Sequence, residues 1–187
     1  MKKHLAQIRI MLVMAALLCS LPLAAQNPTA TGTINATLIN KNGIALVFDT
    51  DPGGVTLGSP GTSAATLNFG TISAFGPLSL GVTRTSVTAA SFTVRTVFDV
   101  QVIQGGGNSA SYTLSAQLGS ALPTGFNFKV DGVTLGGALA TIQANGAYNV
   151  DVPHNMDLTV STAAPGAGGP AVGAPLSTVI NFQATAN

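Results

Sequence analysis

The chain has 187 residues, 46% of them hydrophobic, 5% aromatic and only 7% charged, against about a quarter charged in an ordinary soluble domain. High hydrophobicity with little net charge argues against a disordered polymer. Three of the seven basic residues fall in the first nine positions, so no basic patch is left for nucleic acid.

The first element is a leader. Lys2, Lys3 and Arg9 precede an apolar run from Ile10 to Leu18, and Pro22, Leu23, Ala24 and Ala25 follow. A basic start, a short apolar stretch and small residues at the end describe a secretory signal peptide over residues 1–25. No later stretch is long enough to span a membrane as an apolar helix. Cys19, the single cysteine, lies inside the leader behind Leu17 and Leu18 rather than behind the small residue of a lipoprotein signal.

Removing the leader leaves no cysteine, hence no disulfide and no thiolate metal ligand. It leaves four basic residues (Lys41, Arg84, Arg95, Lys129) and six acidic ones (Asp49, Asp51, Asp99, Asp131, Asp151, Asp157), a net charge of −2 against +1 for the whole chain. The 162 residues that remain (187 − 25) suffice for one domain with a core.

Apolar and polar residues then alternate with the period of a strand almost to the end. Ile34, Ala36 and Leu38 share one face, with Thr33, Asn35 and Thr37 on the other. Ile44 to Phe48 is a short apolar run, and Leu67 and Phe69 alternate with Thr66 and Asn68. The longest pattern is Phe92 to Ile103, with Phe92, Val94, Phe98, Val100 and Val102 on the buried side. Gly105, Gly106, Gly107 and Asn108 follow as a turn, and then Tyr112, Leu114, Ala116 and Leu118 alternate; the pair predicts a long antiparallel hairpin. Phe126, Phe128 and Val130 end at an Asp131–Gly132 turn. Tyr148, Val150 and Val152 form a strand stopped by Pro153, and Met156, Leu158 and Val160 form the next. Ala163 to Pro175 reads as a loop, and Leu176, Ile180, Phe182 and Ala184 form the last strand. Only Gly136 to Gln143 hints at a helix. About nine strands with polar outer faces predict an all-β antiparallel sandwich, with Phe98, Val100, Phe128 and Phe182 in its core. A closed barrel is the alternative.

Little in the sequence points to catalysis. His154 is the one residue of the mature chain able to act as a general base near neutral pH, and between Pro153 and Asn155 it reads as a surface-turn histidine. Serines and aspartates are plentiful enough to complete a triad, but there is no Gly-x-Ser-x-Gly elbow. Asp49-Thr50-Asp51-Pro52-Gly53-Gly54 resembles part of a calcium loop. The run breaks at Pro52, short of the six to eight oxygens that calcium takes, and a tight turn is the expected reading. No catalytic, cofactor or metal residue is assigned, and no cofactor is expected.

The segment after the leader carries the functional content. Residues 26–40 are either the first strand of their own sandwich or an extension that completes a neighbour's sheet, with Ile34, Ala36 and Leu38 as the plugs. Residues 41–187 are then the sandwich domain.

Three stretches resemble subunits of chaperone–usher pili, particularly the archaic branch that includes spore coat protein U-like domains. Thr31-Gly32-Thr33-Ile34-Asn35-Ala36-Thr37-Leu38 is similar to the family's N-terminal donor strand, and Leu67-Asn68-Phe69-Gly70-Thr71-Ile72 to an early strand. Leu176 to Ala184 is similar to the final strand, and Tyr112-Thr113-Leu114 fits the middle one. The resemblance implies an immunoglobulin-like sandwich lacking one strand, which a periplasmic chaperone lends and the next subunit then replaces at an outer-membrane usher. It implies copies of the chain or related subunits as partners, passage through the periplasm and a final place on the cell surface. Such pilins usually carry a disulfide near the first strand; its absence here marks a divergent relative. The rival expectations are a self-complemented surface or matrix adhesin and a secreted hydrolase using His154.

Overall fold

The computed structural model describes residues 29–38, 43–106, 109–163, 169 and 175–187. The proposed leader and most of the expected loop from Ala163 to Pro175 lie outside them. Among the described residues there are eleven strands: β1 (Thr29–Leu38), β2 (Ile44–Asp49), β3 (Ala64–Thr71), β4 (Thr83–Val87), β5 (Ser91–Gln104), β6 (Tyr112–Leu118), β7 (Phe126–Val130), β8 (Val133–Thr134), β9 (Ala140–Gly146), β10 (Asp151–Ser161) and β11 (Leu176–Ala186). Among the described residues no helix is long and apolar enough to cross a membrane.

The strands form two sheets, ordered β3-β1-β11-β6-β9 and β2-β5-β10-β7-β8, with β4 pairing Phe92 to Arg95 of β5 on the edge that β2 takes from Asp99 to Gln104. Every pairing is antiparallel except β1 with β11. The layered all-β arrangement agrees with the period-two patterns, because each strand buries one face against the opposite sheet. β5 and β6 bury alternate residues along nearly their whole length. Phe98, Val100, Phe128 and Phe182 are all in the core. Phe182 of one sheet meets Phe48 and Phe98 of the other edge to face, at centroid distances of 5.4 and 5.8 Å, a geometry favoured by the ring quadrupoles.

Four sequence expectations are corrected. The predicted hairpin of residues 92–118 does not form: β5 pairs with β2, β4 and β10, whereas β6 pairs with β9 and β11. The glycine-rich segment therefore carries the chain from one sheet to the other. Alternation reveals which face of a strand is buried but not which strand lies beside it.

Residues 148–152 and 156–160 are not two strands. β10 begins at Asp151 and runs straight through Pro153, which stands opposite Asp99 of β5. β7 joins the other side of β10 only from Met156 onward. Pro153 thus has a neighbour on one side alone, and there its missing N–H leaves no bond unmade.

The hinted helix at residues 136–143 is instead a bend leading into the first half of β9, an edge strand whose register against β6 shifts twice. β4 and β8 raise the count from about nine to eleven.

His154, fourthly, is not in a turn. It sits within β10 opposite Phe98, with its side chain in the core.

The open side between β2 and β3 is laced shut. Thr62 bridges to Phe48 and Gly58 to Thr66. Val55 and Leu57 fold inward beneath that lacing. Buried Thr96 ties it to the sheet, accepting from the Val55 N–H and donating to the Gly81 carbonyl, both at 2.9 Å.

Candidate functional site

β1 occupies the middle of its sheet, between β3 and β11. It runs parallel to β11 in unbroken register from Ala30 opposite Leu176 to Leu38 opposite Ala184. On its other edge it runs antiparallel to β3, from Thr29 opposite Thr71 to Asn35 opposite Ala64. Ala30, Gly32 and Ile34 face the core and are buried, whereas Thr31, Thr33 and Asn35 are half-buried on the outer face. Of the three expected plug residues, Ile34 is completely buried. The register sets Ala36 opposite Phe182 and Leu38 opposite Ala184; their side chains lie outside the described residues.

The Leu67–Ile72 motif fixes where β1 begins. Leu67, Phe69 and Ile72 are core residues. The register slips by one residue where Ala30 pairs with Gly70 and Thr31 with Asn68. That bulge needs a left-handed residue, and Gly70 supplies it with φ of 66°. The Asn68 carboxamide oxygen accepts the Gly70 N–H at 2.8 Å, and a Cβ on Gly70 would run into the Ser79 side chain.

What holds β1 is mostly main chain. Among the described residues, none of the side chains of residues 30–35 makes a hydrogen bond or an ion pair. Ladder bonds on two edges and the burial of Ala30 and Ile34 do the holding. β11 is fastened by contrast: Asn187, just past it, gives its backbone N–H to the Ser111 carbonyl at 3.0 Å and its side-chain amide to the Ser111 hydroxyl at 2.9 Å. The Thr113 hydroxyl donates to the Asn187 side-chain oxygen at 2.8 Å.

The candidate base is engaged elsewhere. His154 Nδ1 lies 2.6 Å from Asp131 Oδ2, while Nε2 is buried with no hydrogen-bond partner and the ring packs 6.0 Å from that of Phe98. Nucleophile activation needs a hydroxyl at the ring nitrogen not held by the carboxylate, and none stands at Nε2. Asp131 also takes the Asn155 N–H on Oδ1 at 2.8 Å, and its own N–H bonds the Asn155 carbonyl at 2.9 Å. Burial alone would raise the Asp131 carboxyl. Hydrogen bonds from His154 and Asn155 and the charge interaction with His154 outweigh it and hold the carboxyl below the usual range. The pair pins the β7–β8 hairpin to β10. The two turn residues have φ of 49° (Asp131) and 82° (Gly132), the backbone of a tight I′ hairpin. The Asp–Gly turn is legible in the sequence, but its histidine partner, 23 positions on, is not.

The calcium-like stretch is a turn, with the Asp51 side chain accepting the Gly53 N–H and the Asp51 carbonyl accepting the Gly54 N–H. Asp49 faces Asp99 directly across β2 and β5. Partial burial raises the Asp99 carboxyl, and Asp51, Asp151 and Asp49 raise it further by like-charge repulsion. Among the described residues no three His, Cys, Asp or Glu side chains group so as to hold a metal ion.

Arg84 is a residue that sequence reasoning passed over. Its guanidinium donates to the Ser73 carbonyl at 2.9 and 3.2 Å and to the Gly76 carbonyl at 2.6 Å. This clamp shapes the β3–β4 loop, from which Phe75 and Leu80 project 87% and 97% exposed. No protein-family model matches the chain, and no curated protein matches it. The case for function therefore rests on β1 and its surroundings.

Proposed function

We propose that this chain is an exported, non-enzymatic structural subunit that builds a surface fibre or coat by exchanging β1 between copies. The observation that carries the reading is how β1 is held: two backbone ladders and buried small or aliphatic side chains, with no side-chain hydrogen bond from residues 30–35. Backbone ladders are indifferent to which molecule supplies the strand, and alternating plugs set the register. Without β1 the sheet would be split between β3 and β11, leaving two unpaired edges over an exposed core. In this reading the domain is an immunoglobulin-like sandwich short of one strand, and export requires a chaperone to cover the gap and an usher to pass the subunit outward.

A second reading, a self-complemented surface domain, is favoured by the fact that one chain accommodates its own β1 in continuous register. The deciding experiment is a denaturing gel of protein extracted from the cell surface, run unheated and boiled. Bands at multiples of the subunit that collapse on boiling support exchange. A single monomer band in both lanes overturns it and leaves the self-complemented reading.

A further inference from the structure

Both ends of the connection that would pass between copies lie at the same end of the sandwich. β1 finishes at Leu38 opposite Ala184. β11 finishes beside Tyr112, where β6 begins. Across the core, Ile44 at the start of β2 pairs with Gln104 at the end of β5, eight residues before the start of β6 at Tyr112. Residues 39–42 are all that separates Leu38 from Gly43. Five Cα steps reach at most about 17 Å, whereas Ala30 and Leu38 are about 26 Å apart along the strand. The connection cannot carry β1 to the opposite end of its site.

Resting on the strand-exchange reading, we infer that β1 exchange is reciprocal: two copies fill each other's gap and close on a two-fold axis at this shared end. A donor strand that runs as β1 runs brings the donor's Gly43 within about 17 Å of the acceptor's Leu38 position. The acceptor's own β1 departs from that same end. An open chain would have to crowd two neighbouring bodies against one end of every copy. A reciprocal pair satisfies both connections with one contact, and every ladder bond of the single chain is remade. The direction of entry is set by the site: parallel to β11, antiparallel to β3, with the Gly70 bulge meeting Ala30 and Thr31. Strand exchange then stops at two copies instead of propagating along the fibre or coat, which grows from such pairs through other surfaces.

Cysteine trapping tests this, because the chain from Gln26 onward contains no cysteine of its own. Thr33 and Thr66 are register partners on the outer face, at a cross-strand distance suited to a disulfide. The Thr33→Cys/Thr66→Cys chain is refolded at high protein concentration, oxidised and run on a non-reducing denaturing gel. A covalent species of twice the monomer mass, with nothing larger, is expected. A ladder of three and more copies overturns reciprocal closure and leaves strand exchange standing. Monomer alone overturns both. Light scattering on the unsubstituted chain refolded in the same way guards against a folding defect of the variant: a two-copy mass is expected there too, and a monomer or open-ended mass overturns closure.

Discussion

Ile34 and Ile180 stand directly opposite each other in the one parallel strand pair among the described residues, and both are essentially inaccessible to solvent. The pair joins the first described strand to the last at the centre of one sheet. Ile34→Ala removes buried methyl groups where neighbouring strands leave little room to collapse, and should cost about 2–5 kcal/mol. Urea unfolding of the mature chain measures this. A loss below about 1 kcal/mol would mean that β1 adds little to the stability of the fold.

Asp131 gives the fold an acid-sensitive fastening. Its carboxyl is held below the ordinary range in the folded state. Its contribution is therefore complete above the unfolded value near 3.9 and disappears as pH falls through the lower folded value. Asp131→Asn keeps a residue suited to the left-handed turn but loses the charge-assisted bonds to His154 and Asn155. It should cost about 1–3 kcal/mol at pH 7, and the gap to the unsubstituted chain should close in acid, as pH falls through the lowered carboxyl value. Thermal melts across that range check it; a gap that stays constant with pH would count against the fastening.

Asp99 works in the opposite sense. Burial and three neighbouring carboxylates hold its proton more tightly in the folded state than in the unfolded one, so the ionised group destabilises the fold above its raised value. Asp99→Asn should raise stability at pH 7 by no more than about 1 kcal/mol. The gain should shrink in high salt, which screens the repulsion, and vanish in acid.

The Arg84 clamp should govern how firmly the loop bearing Phe75 is held. Arg84→Ala leaves the Ser73 and Gly76 carbonyls without their guanidinium donor. Cleavage by chymotrypsin after Phe75 should speed up several-fold while the core still melts cooperatively. Unchanged cleavage would mean that the lacing of Gly81 to Thr96 is enough.

Much of the architecture is legible because burial imposes alternation. The inward residues of β5, β6 and β11 can be picked from the sequence almost without error. What stays hidden is adjacency. Phe92–Val102 and Tyr112–Leu118 carry equally good patterns whether they pair in one sheet or face each other across the core, so alternation favours a hairpin that the fold does not form. β4 is invisible for a different reason: Thr83-Arg84-Thr85-Ser86-Val87 lies at an edge with its side chains largely in solvent, and no alternation is demanded of it. The place of His154 is hidden because a proline before it reads as a strand end, whereas a one-sided stretch of β10 tolerates proline. The N-terminal strand stood out by its pattern, but its site between two strands that are distant in sequence did not.

The parallel contact between β1 and β11 also sets a timetable. Its partners are 146 residues apart, from Ile34 to Ile180, so closing that contact means closing nearly the whole chain into a loop, the kind of pairing that slows folding. The chain emerges from β1 towards β11, and until β11 arrives β1 has only β3 to pair with, so its other edge stays open to whatever strand it meets.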